Sequence, residues 1–330
     1  MVKLVNIFIR HVRIKIFLAA TCAAKLLCAA QQTDKAFSGV EAKPYLRSYT
    51  QMRAGLHDDT LFFQQEKIMF GVHVRMNEHW SAQMGVDFIS MKYPYPKPAF
   101  VTWKKERWTV DAGIIMPSQI SQANSFWNHR FIERVASDKW MSDPTADLGL
   151  RVTRRWNDYL SVDLSVVSGN GFRRLTDRYR PMPAFRLVLT PVEQVEAGGY
   201  VSVARNRGVS AVSMYGFVGL QPGEQWKITG EYHRKTNFLF EKDMRLNVAS
   251  LHASCDLTPW WSMICRYDLI WTDAQGVSGS YRHAGQAWIG GWIFRCFPSL
   301  RVSADYRNKR PSGQALRGED WLYVCLEFTY

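Results

Sequence analysis

Residues 129–139 (HRFIERVASDK) bring His129, Arg130, Glu133, Arg134, Asp138 and Lys139 into one short stretch. Arg130, Glu133 and Arg134 are three and four residues apart, so a helical turn puts them on neighbouring faces. Acids and bases mixed in this way can hold a polar solute between opposite charges. They do not compose a metal centre, because His129 and Glu133 alone give one imidazole and one carboxylate. Beyond residue 30 the cysteines are Cys255, Cys265, Cys296 and Cys325, with no C-x-x-C spacing. Cys255 and Cys265 flank an expected turn; a disulfide and two half-buried strand thiols are both open. No Gly-x-Ser-x-Gly, His-Glu-x-x-His, phosphate loop or dinucleotide fingerprint is present. His73, His233, His252 and His283 are dispersed as in any chain with eight histidines. Enzymatic activity, a cofactor and a metal are therefore not expected. Nucleic acid is not expected either, because the basic residues are scattered and not interleaved with aromatic platforms.

A second set of charges recurs at every other position. Lys67, Arg75, Asp87, Asp111, Arg151, Asp163, Lys227, Arg266, Asp268, Arg301 and Asp305 each alternate with apolar neighbours. With Lys104, Asp147, Arg186, Glu196, Glu231, Arg295, Arg307 and Glu327 they make a mixed, nearly neutral set. In a dry core such a set is costly; lining a water-filled lumen it is expected. A third set is basic and lies between the alternating segments: Arg173, Arg174, Arg178, Arg180, Arg205 and Arg207. It would attract anions at a channel mouth or bind anionic lipid headgroups, and the sequence does not separate the two.

The elements that must position these charges are strands. Past residue 40 the hydrophobic period is two, as in Leu160, Val162, Leu164 and Val166 against Ser161, Asp163 and Ser165. Sixteen such segments are countable, and short turns such as Asn77-Glu78-His79 alternate with longer connections. Tryptophans cluster at segment ends. Soluble sandwiches lack this short–long rhythm; outer-membrane barrels have it, with an even strand number and aromatic girdles. The expected fold is all-β, a transmembrane antiparallel barrel of sixteen strands, with fourteen or eighteen as alternatives. The final segment, WLYVCLEFTY, carries its alternation through Phe328 to Tyr330. A barrel allows this, because its last strand pairs with its first. The same run is similar to the C-terminal signal read by barrel-assembly machinery, although that signal normally ends in Phe.

The chain of 330 residues carries a formal charge of +13. Residues 1–30 read as a cleaved signal peptide: Lys3, Arg10, Arg13 and Lys15, then an apolar stretch from Ile16 to Ala24, then Cys28-Ala29-Ala30. Residues 31–330 then form one barrel domain, and bacterial outer membrane is the expected location.

Residues 115–145 have no strand pattern and fall between the fifth and sixth strands, as the third long loop. Phe126, Trp127, Phe131, Ile132 and Val135 offer an apolar helical face that would pack on the inner wall. His129, Arg130, Glu133, Arg134 and Lys139 would then narrow the pore, with Glu133 opposing Arg130 and Arg134. Phe131-Ile132-Glu133-Arg134, Asp143-Pro144-Thr145, Asp147-Leu148-Gly149 and Gly169-Asn170-Gly171 resemble the phosphate-selective porin O and P family. That resemblance covers residues 107–171 and implies a sixteen-stranded, trimeric channel for small anions. The lysine cluster behind phosphate binding in that family is not evident here. The expected function is a porin passing small hydrophilic solutes with weak anion preference. A non-conducting structural or assembly barrel is the alternative, and a barrel-borne hydrolase the third reading. A plugged barrel needs inward apolar residues on several strands; only Ile89, Val188 and Ile264 are clear in the sequence.

Overall fold

The computed structural model describes residues 40–56, 60–90, 93–141, 143–173, 180–272, 284–312 and 318–330. The expected signal peptide, Arg174, Arg178, His283 and the side chain of Ile89 lie outside the described residues. The strands are β1 Glu41–Gly55, β2 Leu61–Arg75, β3 Trp80–Ser90, β4 Tyr93–Lys105, β5 Trp108–Ile115, β6 Asp147–Arg155, β7 Leu160–Val167 and β8 Met182–Val192. They continue with β9 Val195–Asn206, β10 Val209–Leu220, β11 Trp226–Thr236, β12 Arg245–Thr258, β13 Trp261–Thr272, β14 Gly285–Phe297, β15 Leu300–Pro311 and β16 Glu319–Thr329. Each pairs antiparallel with its neighbours in sequence, and β1 pairs with β16, giving a closed sixteen-stranded barrel. No helix among the described residues is long and apolar enough to cross a membrane.

Closure explains the terminal strand. Its register with β1 runs from Arg47 opposite Thr329 to Gly55 opposite Trp321. Beyond it, the Leu46 amide donates to the Tyr330 carbonyl at 3.0 Å and the Tyr330 amide donates back at 2.9 Å. The last residue thus leaves no open edge.

Alternation sorts the two faces. On β16, Leu322, Leu326 and Phe328 point out and are exposed, while Cys325 and Glu327 point in and are buried. On β13 the buried set is Ser262, Ile264, Arg266, Asp268 and Ile270, and Met263 and Leu269 are exposed. Short turns at one end are shaped by side chains. The Asn77 carboxamide accepts from the His79 and Trp80 amides at 2.9 and 2.8 Å, and Asn157 accepts from Tyr159 in the same way. The opposite end carries the longer connections, except that β3 and β4, and β9 and β10, are each joined by two residues. β9 and β10 are joined by Arg207 and Gly208 alone, both at positive φ (49° and 83°), the geometry of a two-residue hairpin turn. The sequence reading of a loop holding Arg205 and Arg207 is corrected here: Arg205 belongs to β9, and only Arg207 sits in the turn.

The connection after β5 enters the barrel. It holds α1 (Ser118–Trp127) and α2 (Ala136–Lys139). α1 stops at Asn128, which adopts the left-handed conformation (φ 48°) and donates its amide to the Asn124 carbonyl at 3.0 Å. The chain then turns so that Phe131, Ile132 and Val135 continue the apolar face of α1.

Candidate pore constriction

The inward loop has two sides. Ile120, Ala123, Trp127, Phe131, Ile132 and Val135 pack against Tyr49, Ile264, Ile289, Ile293 and Cys325. Further on, Ala136, Trp140 and Met141 pack against Leu246, Val248, Ile270 and Ala287. In the last turn of α1, Phe126 meets Val188, Tyr200, Tyr215 and Phe217. A Cβ on Gly219 would lie 2.1 Å from the Phe126 ring, so this inward position must be bare for the ring to seat. Burying this many large apolar groups, each worth about 1.5–3 kcal/mol, docks the loop along β8–β14, β16 and the inner face of β1 at Tyr49. The inward apolar residues are therefore many more than the three legible in the sequence. Leu246, Val248, Ile270, Ile289, Ile293, Tyr200, Tyr215 and Phe217 join Val188 and Ile264.

Hydrogen bonds fix the loop's path. The Gln51 amide group donates to the carbonyls of Phe131 and Ile132 at 2.9 and 2.8 Å. The Trp127 indole donates to the Glu133 carbonyl at 2.7 Å, and the Trp140 indole to Asp268 at 2.7 Å. Arg266 donates to the Arg134 carbonyl at 2.7 Å while paired with Asp268 at 2.8 Å. Lys235 holds Asp143 at 2.9 Å. Asp147 accepts from the Leu148 and Gly169 amides at 2.8 and 2.7 Å. The short strings that carry the family resemblance are thus the loop's anchor points.

The other side of the loop faces water. Two cavities of about 430 and 580 Å³ lie against β1–β4, one toward the longer connections and one toward the short turns. Tyr49, Lys67, Lys97, Arg130 and Thr145 line both, and so form the waist between them. The outer cavity adds Glu66, Asp87, Arg134, Asp138, Lys139 and Arg173. The inner one adds Arg47, Arg151, Arg301 and Glu327. Arg130 reaches Asp138 at 2.7 Å, and Arg134 reaches the same carboxylate at 3.6 Å. Lys97 donates to the Thr145 hydroxyl and lies 4.3 Å from the centre of the Phe172 ring. No carboxylate lies at ion-pair distance from Arg47, Lys67 or Lys97 among the described residues. The three charged residues common to both cavities are all cations.

Of the five residues expected at the constriction, Arg130, Arg134 and Lys139 line cavity surface. His129 and Glu133 do not, which corrects the reading that Glu133 opposes the arginines. Its carboxylate is turned into the docked side, where it pairs with Lys139 and, at 3.5 Å, with Arg307. Burial alone would raise this carboxyl; Lys139 and Arg307 outweigh burial and hold it down at about 2. Burial of Lys139 outweighs Glu133 in turn, so the ammonium sits below its ordinary value. His129 is buried edge-on to Trp127, with ring centres 5.4 Å apart. Burial, then the charge on Arg301, push its imidazole down to about 3. The helical turn expected here is a single turn between α1 and α2, closed by the Glu133 amide on the His129 carbonyl at 3.2 Å, and the apolar neighbours decide which side chains face the cavity. The acid that does face the arginines is Asp138.

Most of the expected lumen charges are paired, across neighbouring strands or, for Arg307 with Asp305, within one strand. Arg151 meets Asp111 at 2.6 Å, Arg186 meets Asp163 at 2.5 Å, Arg307 meets Asp305 at 2.6 Å, and Arg301 meets Glu327. Arg75 lies at the short-turn mouth with Lys43, His73 and Lys104. Lys227 sits on the inward face of β11, half-buried. At the outer mouth Arg173 lies 5.7 and 5.5 Å from the Tyr95 and Phe172 rings, and Arg180 is exposed. Cys255 and Cys265 are free thiols. The sequence reading missed Lys97, Glu66 and Tyr49. Lys97 lies within YPYPKP, whose prolines obscure the alternation. Glu66 is the extra residue of a bulge in the β1–β2 ladder, which no periodicity reveals.

No family model matches the chain, and no curated protein does. Solved structures share the fold. OmpF of Salmonella typhi superposes with a TM-score of 0.69 at 11% identity, over 88% of this chain and 98% of its own. An anion-selective porin from Comamonas acidovorans gives 0.66 at 8% identity, over 88% and 100%. OmpT of Vibrio cholerae, as a loop L8 deletion mutant, gives 0.65 at 12% identity, over 88% and 99%. At these identities the likeness is one of fold.

Proposed function

We propose that this chain is an outer-membrane porin, a water-filled channel through which small hydrophilic solutes diffuse passively, with a weak preference for anions. One observation carries the reading. The third long loop spends its apolar side on β8–β14, β16 and Tyr49 of β1, and leaves hydrated space against β1–β4 on both sides of a waist whose charged residues are Lys67, Lys97 and Arg130. In this reading a passing solute meets Arg130 and then Arg134, with Asp138 as the opposing charge. The cationic waist raises the local concentration of anions. The Comamonas neighbour is an anion-selective porin, which supports that sign. The resemblance to phosphate-selective porins supports small anions generally, because the loop lacks the family's lysine cluster and the waist lysines come from β2 and β4. A homotrimer, assembly through the C-terminal strand and a surrounding outer-membrane lipid belong to the same reading; a trimer form is known for the Vibrio neighbour.

The many inward apolar residues favour a second reading, a non-conducting structural barrel. Single-channel recording of the refolded protein in a planar bilayer decides between them. Discrete open steps are expected of the porin; a folded, inserted barrel with no steps would move the assignment to the structural one.

A further inference from the structure

The outer wall of the barrel carries charge that the channel does not use. On β9–β12 the outward-facing positions are apolar or small from the short-turn end upward, among them Val201, Val218, Trp226 and Leu251. At the long-connection end this changes: Arg205, Arg234 and Arg245 point outward. Their neighbours on the inner face, Tyr200, His233 and Leu246, are buried, which fixes the parity. Arg234 lies opposite Asn247, and Thr236 opposite Arg245, so the two arginines are diagonal neighbours on adjacent strands. Strand spacing and rise put their Cα atoms about 8 Å apart, with Arg205 roughly 15 Å along the wall. No carboxylate lies on the outer face of these four strands, and none pairs with the three arginines among the described residues. Elsewhere on the wall the rule differs: Arg310 on β15 is tied to Asp320 at 2.9 Å.

An aromatic pair marks the depth. Tyr232 lies one outward position below Arg234 and Trp271 lies in its row, opposite Asn247; their ring centres are 6.1 Å apart, and the Tyr232 hydroxyl donates to Asn247 at 3.0 Å. Rings that are apolar below and hydrogen-bonded above sit at the membrane interface. The arginines therefore stand at headgroup level, on the outer side.

We propose that Arg234 and Arg245 together, with Arg205 as a second point of contact, bind the phosphate groups of a phosphorylated outer-leaflet glycolipid. Guanidinium forks suit phosphate oxygens bidentately. The spacing suits a headgroup carrying two phosphates. The apolar wall below takes the acyl chains. This rests on the outer-membrane placement proposed above, and not on whether the lumen conducts.

The test is native mass spectrometry of the refolded barrel in non-ionic detergent, titrated with bis-phosphorylated lipid A, its dephosphorylated form, and phosphatidylglycerol. Bound bis-phosphorylated lipid A should exceed the other two. Arg234→Gln should weaken it about five-fold, and Arg234→Gln with Arg245→Gln by more than ten-fold. Arg310→Gln should change little. Equal retention of the dephosphorylated form, equal retention of phosphatidylglycerol, or an unchanged double variant would each overturn the assignment. Folding of each variant is checked by its heat-dependent gel shift. Single-channel steps that persist in the double variant separate a failure here from a failure of the channel reading.

Discussion

The wall under the loop and the wall facing the cavities are built from the same alternating strands, yet they treat charge in opposite ways. Beneath and beside the loop, Arg266–Asp268, Arg307–Asp305 and Glu231 with His233 and His252 are buried and mutually paired. Facing the cavities, Arg151–Asp111 and Arg301–Glu327 are paired too, but Arg47, Lys67 and Lys97 make no ion pair among the described residues, and Lys67 and Lys97 lie 5.7 and 4.3 Å from the Tyr49 and Phe172 ring centres. Buried charge must be compensated on the spot, whereas a wet wall can hold an unbalanced field. The first wall holds the loop in place; the second supplies the field the proposed pore would use.

The largest effect should come from unbalancing the covered wall. Arg266→Met leaves Asp268 buried without its partner and should cost about 3–5 kcal/mol. Adding Asp268→Leu should recover much of it, read as the thermal midpoint of the heat-dependent gel shift. Next is Trp127→Ala, which empties the apolar seat and removes the bond to the Glu133 carbonyl. It should cost about 3 kcal/mol and expose the loop to protease. If neither variant loosens the loop, the division into two walls is wrong.

Acid should act on the same wall. His129 is held near 3 against an ordinary 6.5, so the docked loop prefers it neutral. That contribution is complete above pH 6.5 and is lost as pH falls toward 3. Glu133, held near 2 against 4.5, adds a contribution complete above pH 4.5 and lost as pH falls toward 2. Protease protection of the loop should therefore decline from pH 6.5 downward, and His129→Phe should remove the upper part of the decline. The cavity wall should be indifferent: Lys67→Glu should leave stability within about 0.5 kcal/mol. The smallest effect is at the mouth, where Arg173→Ala should lower anion preference at 0.01 M salt and have none at 1 M, as the screening length falls from about 30 to 3 Å.

How legible was this in the sequence? The barrel was, because a period of two is local and recurs in sixteen segments, and short connections recur between them. The docked face of the loop was too, since Trp127, Phe131, Ile132 and Val135 announce it by type and spacing. What hid was everything depending on which way a mixed helical turn rolls. Glu133 and Arg134 are adjacent and equally polar, and only the tertiary seat sends one inward to Arg307 and leaves the other in the cavity. Lys97 hid between prolines, and Glu66 in a bulge. The inward apolar residues of β12–β14 hid for a different reason. On a strand that is apolar on both faces, such as 285–294, alternation carries no sign of what covers it.

In the proposed channel the cations at the waist, not the paired charges of the covered wall, set the sign of selectivity. The most direct measurement is the reversal potential across a ten-fold salt gradient for the wild type and for Lys67→Glu combined with Lys97→Glu. Anion-biased reversal in the wild type, turning cation-biased in the variant with open steps retained, is the predicted result. A reversal potential that the double variant leaves unchanged would contradict it.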